Sequence, residues 1–128
     1  MHKSKTSRTG ALGEEIAATF LKKKGYTIIE MNFRRPWGEI DIVAEKSGTV
    51  RFVEVKAVSA AFESISRENN SYRPEEQIHA AKLRKVVRTA ELYMERRGDR
   101  REFQIDAVGV ILDTNRRSAR CRLFEQIL

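Results

Sequence analysis

The segment GEIDIVAEKSGTVRFVEVK, Gly38 to Lys56, constrains this chain more than any other. β-Branched residues on both sides of Ser47-Gly48 predict an antiparallel hairpin, with one strand over Glu39 to Glu45 and the next over Val50 to Val58. Yet Glu39, Asp41 and Glu54 fall inside those strands, and Lys56 follows two residues after Glu54. Side chains alternate across a strand. Glu39, Asp41 and Val43 are therefore expected on one face, with Ile40, Ile42 and Ala44 on the other. On the second strand, Phe52, Glu54 and Lys56 oppose Val53 and Val55. With Ser47-Gly48 as the turn, Asp41 is expected opposite Glu54, Glu39 opposite Lys56 and Val43 opposite Phe52.

Directly opposed Cβ atoms lie about 4.5–5.5 Å apart, where like charges are destabilising. Two readings follow. In one, the charged face is simply solvated. In the other, a positive charge sits between the acids, and a divalent cation is the obvious choice. Mg²⁺ is held by one or two carboxylates with waters and substrate phosphate. Val43 and Phe52 share the charged face, and the later strand FQIDAVGVIL is apolar on both sides, so the sheet is expected to be covered on both faces. Both points favour the cation. A register slip of two residues would instead set Asp41 against Lys56. Two acids and a lysine around a hard cation suit phosphodiester hydrolysis, in which the metal activates water and the lysine orients it or neutralises developing charge.

The flanking sequence supplies the frame. Residues 1–10 read as a basic tail, ahead of a single domain over 11–128. A helix is expected over Ala11 to Lys24, with Leu12, Ile16 and Phe20 as its apolar stripe, widened by Ala17 and Leu21. Gly25 is a natural stop. Tyr26 to Phe33 reads as the first strand, and RRPWG as a turn. The polar stretch 59–74 reads as a long loop. A second helix is expected from Pro74-Glu75 to Arg97, burying Leu83, Val86, Val87, Ala90 and Met94. FQIDAVGVIL is then a central strand and CRLFEQIL an edge strand. The order is α-β-β-β-α-β-(β), an α/β fold with a mixed sheet flanked by helices.

With Asp41 followed by Glu54-Val55-Lys56, the chain resembles the PD-(D/E)XK nuclease superfamily, whose core has this restriction-endonuclease-like α-β-β-β-α-β order. The longer runs GALGEEIAATFLKKKGY, GEIDIVA, FVEVK and FQIDAVGV look like the uncharacterised YraN-type family, often described as candidate endonucleases; the order is also similar to archaeal Holliday-junction resolvases. The resemblance implies Asp41, Glu54 and the Val55 carbonyl as ligands of Mg²⁺ or Mn²⁺, and Lys56 as the catalytic lysine. It implies Glu14 as an accessory acid, with Glu15 as the alternative. Glu39 would be structural, pairing with Lys56, or would support the ligands from behind. Gln77 and Lys82 on the second helix would contact phosphate. Val58 stands where the family usually carries a basic residue, which leaves substrate contacts less defined.

The net charge of +7 fits a polyanionic partner. DNA is the expected one, with Arg34 and Arg35 near the turn able to meet phosphate. Trp37 between them and the hairpin either packs on the sheet end or stacks on a base. Asp106, inside an apolar strand, is expected to pair with an arginine or a backbone donor. A lone cysteine and the lack of an apolar run imply a cytoplasmic protein outside the membrane. Cutting both strands would imply a two-fold homodimer through the C-terminal segment. The rival functions are a nuclease-fold nucleic-acid-binding module without efficient cleavage, and a protein-interaction domain whose basic charge is incidental.

Overall fold

The structure, a computed structural model, describes residues 8–60, 80–113, 115 and 117–128. Among these residues, seven elements follow in chain order: α1 (Arg8–Lys23), β1 (Thr27–Arg35), β2 (Gly38–Lys46), β3 (Thr49–Ala60), α2 (Ala80–Arg97), β4 (Phe103–Asp113) and β5 (Ser118–Phe124). The strands form one sheet in the order β1-β2-β3-β4-β5. All neighbours are antiparallel except β3 and β4. A parallel pair needs a crossover, and α2 lies within it. This is the α/β arrangement expected from the sequence, with the apolar β4 inside the sheet and β5 at its edge.

Among the described residues, each face of the sheet carries one helix. On one face Ala17, Ala18 and Leu21 of α1 meet Ile42, Ala44, Val53, Val55, Val108 and Val110. On the other, Val86, Ala90, Tyr93 and Met94 of α2 meet Phe33, Ile40, Val43, Phe52 and Ile105. Tyr93 packs edge-to-face on Phe33 and Phe52, with ring centroids 5.1 and 5.4 Å apart. No helix of the described residues is long and apolar enough to cross a membrane.

α1 departs from expectation in two ways. It starts at Arg8, so residues 8–10 are helix and not tail; residues 1–7 lie outside the described residues. Its buried stripe is Gly10, Gly13, Glu14, Ala17, Ala18 and Leu21, while Leu12 is 49% exposed. The cause is steric. Gly13 sits so close to β3 that a Cβ there would overlap the Ala57 Cβ. A small-residue face lets the helix backbone approach the sheet, and the bulkier Leu12, Ile16 and Phe20 are left at the rim. Helix propensity would favour Gly13→Ala by roughly 1 kcal/mol, but overpacking costs about 1–3 kcal/mol. The expected result is a net loss of stability, seen as a lower urea midpoint with unchanged slope; a higher midpoint would refute this packing.

Two residues past Lys23, α1 is capped by Gly25, which has φ +95°, with the amides of Gly25 and Tyr26 donating to the carbonyls of Lys22 and Leu21 at 3.1 and 3.0 Å. This is the Schellman pattern, which satisfies carbonyls left over at the helix end. β3 continues through Ala60, paired with Asp113, so the expected loop over 59–74 does not begin at residue 59. The remainder of that stretch, and the expected helix start near Pro74, lie outside the described residues.

Candidate functional site

Ser47 and Gly48 both adopt positive φ, +53° and +77°. Two such residues make a primed turn whose twist matches the hairpin, and this sets the register. Lys46 pairs with Thr49, Val43 with Phe52 and Ile42 with Val53, as the turn predicted. There the β2–β3 ladder ends. Asp41 and Glu54 are not opposed through backbone pairing. Instead Asp41 Oδ2 accepts the Val55 N–H at 2.8 Å, so the carboxylate takes the place a neighbouring strand's carbonyl would have.

The other side of Asp41 is irregular too. β1 pairs with β2 at Met31–Ile42 and Phe33–Ile40, skipping Asn32 and Asp41, and Asn32 has φ +54°. Asparagine tolerates this left-handed conformation better than most residues. The side-chain alternation slips here. Met31 and Ile42 belong to the α1 side, whereas Phe33, Ile40 and Val43 belong to the α2 side. The expectation that Ile40 shares a face with Ile42 is therefore wrong: both strands turn by one position at Asn32 and Asp41. Asp41, 4% exposed, is thus held at an irregularity of β2, where β3 has parted from it while β1 resumes pairing at Phe33–Ile40.

Along β3 the alternation is regular. Val53 and Val55 face α1, and Phe52 faces α2. Glu54 and Lys56 therefore share the α2 face. Glu54 is 2% exposed, and the Lys82 ammonium of α2 lies 3.1 Å from its Oε1. Burial alone would lower the Lys82 pKa. Glu54, and then Asp41 and Glu39, outweigh it and hold the pKa above its ordinary value. One ammonium thus feels all three carboxylates. Sequence placed Lys82 near phosphate but did not find this contact, because β3 and α2 are joined through a segment with no local signal for it.

The other expected residues fall as follows. Glu39 does not pair with Lys56; its carboxylate contacts Arg34, its partner on β1. The strands have separated before Lys56 could lie opposite Glu39. Arg34 also donates to Asn32 Oδ1 at 3.1 Å, bracing the kink. Arg35 lies over the Phe33 ring at 4.3 Å and borders the cleft beside α2. Glu14 is buried on the sheet-facing side of α1, and Glu15 is exposed. Gln77 lies outside the described residues.

Two carboxylates and the Val55 carbonyl suit a hard cation completed by water. That an ammonium already rests on Glu54, in the field of Asp41, is consistent with a place that takes positive charge. Among the described residues no three His, Cys, Asp or Glu side chains are grouped to hold a metal, so Glu14 is not drawn into a carboxylate cage with Asp41 and Glu54.

Comparison with known proteins places the stretch that carries this site in a family. The model described as "Uncharacterised protein family UPF0102" matches residues 13–110, which include the hairpin and β4 up to Val110. A UPF0102 protein of Wolinella succinogenes is 40% identical over 99 residues, covering 77% of this chain and 82% of the relative. One from Campylobacter jejuni is 38% identical over 99 residues, covering 77% and 80%. One from Fervidobacterium nodosum is 38% identical over 100 residues, covering 78% and 68%.

Proposed function

The chain belongs to the uncharacterised family UPF0102, and from the site carried by the matched region we propose that it is a metal-dependent endonuclease hydrolysing DNA phosphodiester bonds. The observation that carries this reading is the splayed end of the β2–β3 hairpin. There two buried carboxylates, Asp41 and Glu54, act on the same Lys82 ammonium; Asp41 is tied to the Val55 amide of β3, and Lys56 is on the same face as Glu54. Bound Mg²⁺ or Mn²⁺ would activate a water and offset charge on the phosphate. Asp41 and Glu54, with the Val55 carbonyl, would hold the metal. Lys56 would orient the attacking water or neutralise the developing negative charge. Glu14 would act from the α1 side through water. The net charge of +7 would draw the nucleic acid to the surface. Similarity to junction resolvases extends the proposal to branched or recombining DNA.

The Lys82–Glu54 ion pair favours a second reading, a nuclease-fold module that binds nucleic acid without efficient cleavage. A protein's own ammonium on a ligand competes with a metal for it. The test is a panel of linear, nicked, flapped and four-way DNAs incubated with Mg²⁺ or Mn²⁺, alongside thermal unfolding in the same metals. A ligand of the native state raises the melting midpoint. Metal-dependent cleavage with a raised midpoint supports the endonuclease. DNA binding with neither supports the second reading.

A further inference from the structure

We propose that the groove between the β1–β2 turn and α2 is a subsite for single-stranded nucleic acid, in which an unpaired base stacks on Trp37 and the phosphates lie along Arg35, Lys85 and Arg96. The proposal shares with the endonuclease reading only its nucleic-acid partner; neither metal nor cleavage is required.

Trp37 is the chain's single tryptophan. It stands in the turn between β1 and β2 and keeps 37% of its surface exposed, with the Arg96 guanidinium 4.5 Å from its ring centre. The neighbouring Gly38 holds it in place. A Cβ there would overlap the Thr89 hydroxyl, so the turn is pressed onto α2 and the indole is positioned before any ligand arrives. Two clefts meet at this residue. One, of about 480 Å³, runs between Arg35 and Trp37 on one wall and Lys82, Lys85 and Thr89 on the other. The second, of about 200 Å³, is bordered by Trp37, Arg35, Arg96 and Arg97.

Among the described residues, basic side chains recur in both clefts, with Glu39 as the one acid lining them. Lys82, Lys85, Thr89 and Arg96 recur along one side of α2, and Lys82 to Arg96 spans about 21 Å at 1.5 Å per residue. That is room for several phosphates at the roughly 3.4 Å spacing of a helical strand. Arg97 is engaged by Glu30 at 3.1 Å and Lys82 by Glu54, which leaves phosphate contact to Arg35, Lys85 and Arg96. At its other end the larger cleft is bordered by Glu39 and Lys82. A strand lying in the groove therefore leads to the carboxylate cluster.

The occupant is single-stranded because the aromatic face requires it. Bases in a duplex are covered above and below by their neighbours, whereas an unpaired base offers its own face to an aromatic side chain whatever its sequence. A cleft of this volume is of the size that encloses a small ligand, roughly 300–1,000 Å³.

Because Trp37 is the only indole, its fluorescence reports this site alone. The full chain is titrated in EDTA with an oligo-dT octamer, and separately with a blunt duplex of equal length. The expected result is saturable quenching by the single strand, with affinity at least about tenfold above that for the duplex. By anisotropy of labelled octamer, Trp37→Ala weakens binding on the order of tenfold or more. Trp37→Phe retains most of it, which separates stacking from misfolding. Lys85→Ala lowers the slope of log affinity against log salt by about 0.7. Quenching that never appears, wild-type affinity in Trp37→Ala, or tighter binding of the duplex would each overturn the proposal. Intact single-strand binding without cleavage would sink the endonuclease reading alone, and cleavage without it would sink only this subsite.

Discussion

Asp41→Asn is expected to abolish the metal-dependent rise in melting midpoint and to lower DNA cleavage on the order of a thousandfold, while leaving the fold intact. The substitution separates the proposed metal-binding role of the side chain from its hydrogen bond to the backbone. Asp41 Oδ2 accepts the Val55 amide at 2.8 Å in a buried setting. An asparagine carbonyl oxygen can accept the same bond, so no backbone donor is left unsatisfied. What disappears is the negative charge. A catalytic metal contributes several kcal/mol of charge stabilisation, and about 4 kcal/mol corresponds to a thousandfold in rate. Lys56→Ala is the complementary variant. Its ammonium is not among the proposed ligands, so the expected result is slower cleavage with the metal-dependent midpoint shift retained. Thermal unfolding with and without Mg²⁺, paired with initial cleavage rates, reads both. Wild-type cleavage by Asp41→Asn would end the metal-site reading.

The second large effect is structural. Asp106→Ala is expected to cost about 3–5 kcal/mol, the usual penalty for breaking a buried ion pair by removing one partner. Asp106 is fully buried on β4. Its Oδ2 accepts from the Tyr26 hydroxyl at 2.7 Å and lies 3.4 Å from Arg51 Nη1. Its Oδ1 accepts from Gln104 Nε2 at 2.8 Å and from the Gln126 amide at 2.7 Å. Removing it takes the acceptor from a phenol and a backbone amide and leaves the buried guanidinium with the half-exposed Glu125, 3.8 Å away, as its counter-charge. The Tyr26 hydroxyl is already held well above the usual phenol range, by burial first and then by its bond to Asp106. Small domains are stable by roughly 5–15 kcal/mol, so this loss takes a large share. Urea unfolding should show a much lower midpoint. Arg51→Met combined with Asp106→Leu should recover a good part, since replacing both ions avoids an unpaired buried charge. A loss below about 1 kcal/mol in Asp106→Ala would show that the cluster is not holding the C-terminal segment to β4.

The sequence was most informative where the physics is local. Ser47-Gly48 dictates the hairpin turn, and the turn dictates the register of Ile42 with Val53. Gly25 marks the end of α1. Asp106 among apolar neighbours announced a pairing need, and the structure meets it with both an arginine and a backbone amide. Extrapolating alternation beyond Ile42 failed. It assumed an unbroken ladder, whereas Asp41 stands where both neighbouring strands depart from regular pairing. Glu39 was accordingly matched with Lys56 but meets Arg34. The stripe of α1 was misplaced for a related reason, because large apolar residues were weighted over the small ones that allow close approach.

By itself, then, the sequence determined the order of elements, the hairpin register near its turn, the presence of buried acids beside a lysine and the family. Those follow from periodicity, turn chemistry and residue identity, which act within a few positions along the chain. Only tertiary structure decided that β2 and β3 part at Asp41, that Lys82 of α2 settles on Glu54, and that Trp37 closes one wall of a basic groove. Each of these brings together groups from separate elements, and their meeting depends on how strands twist and helices dock, which no local pattern encodes.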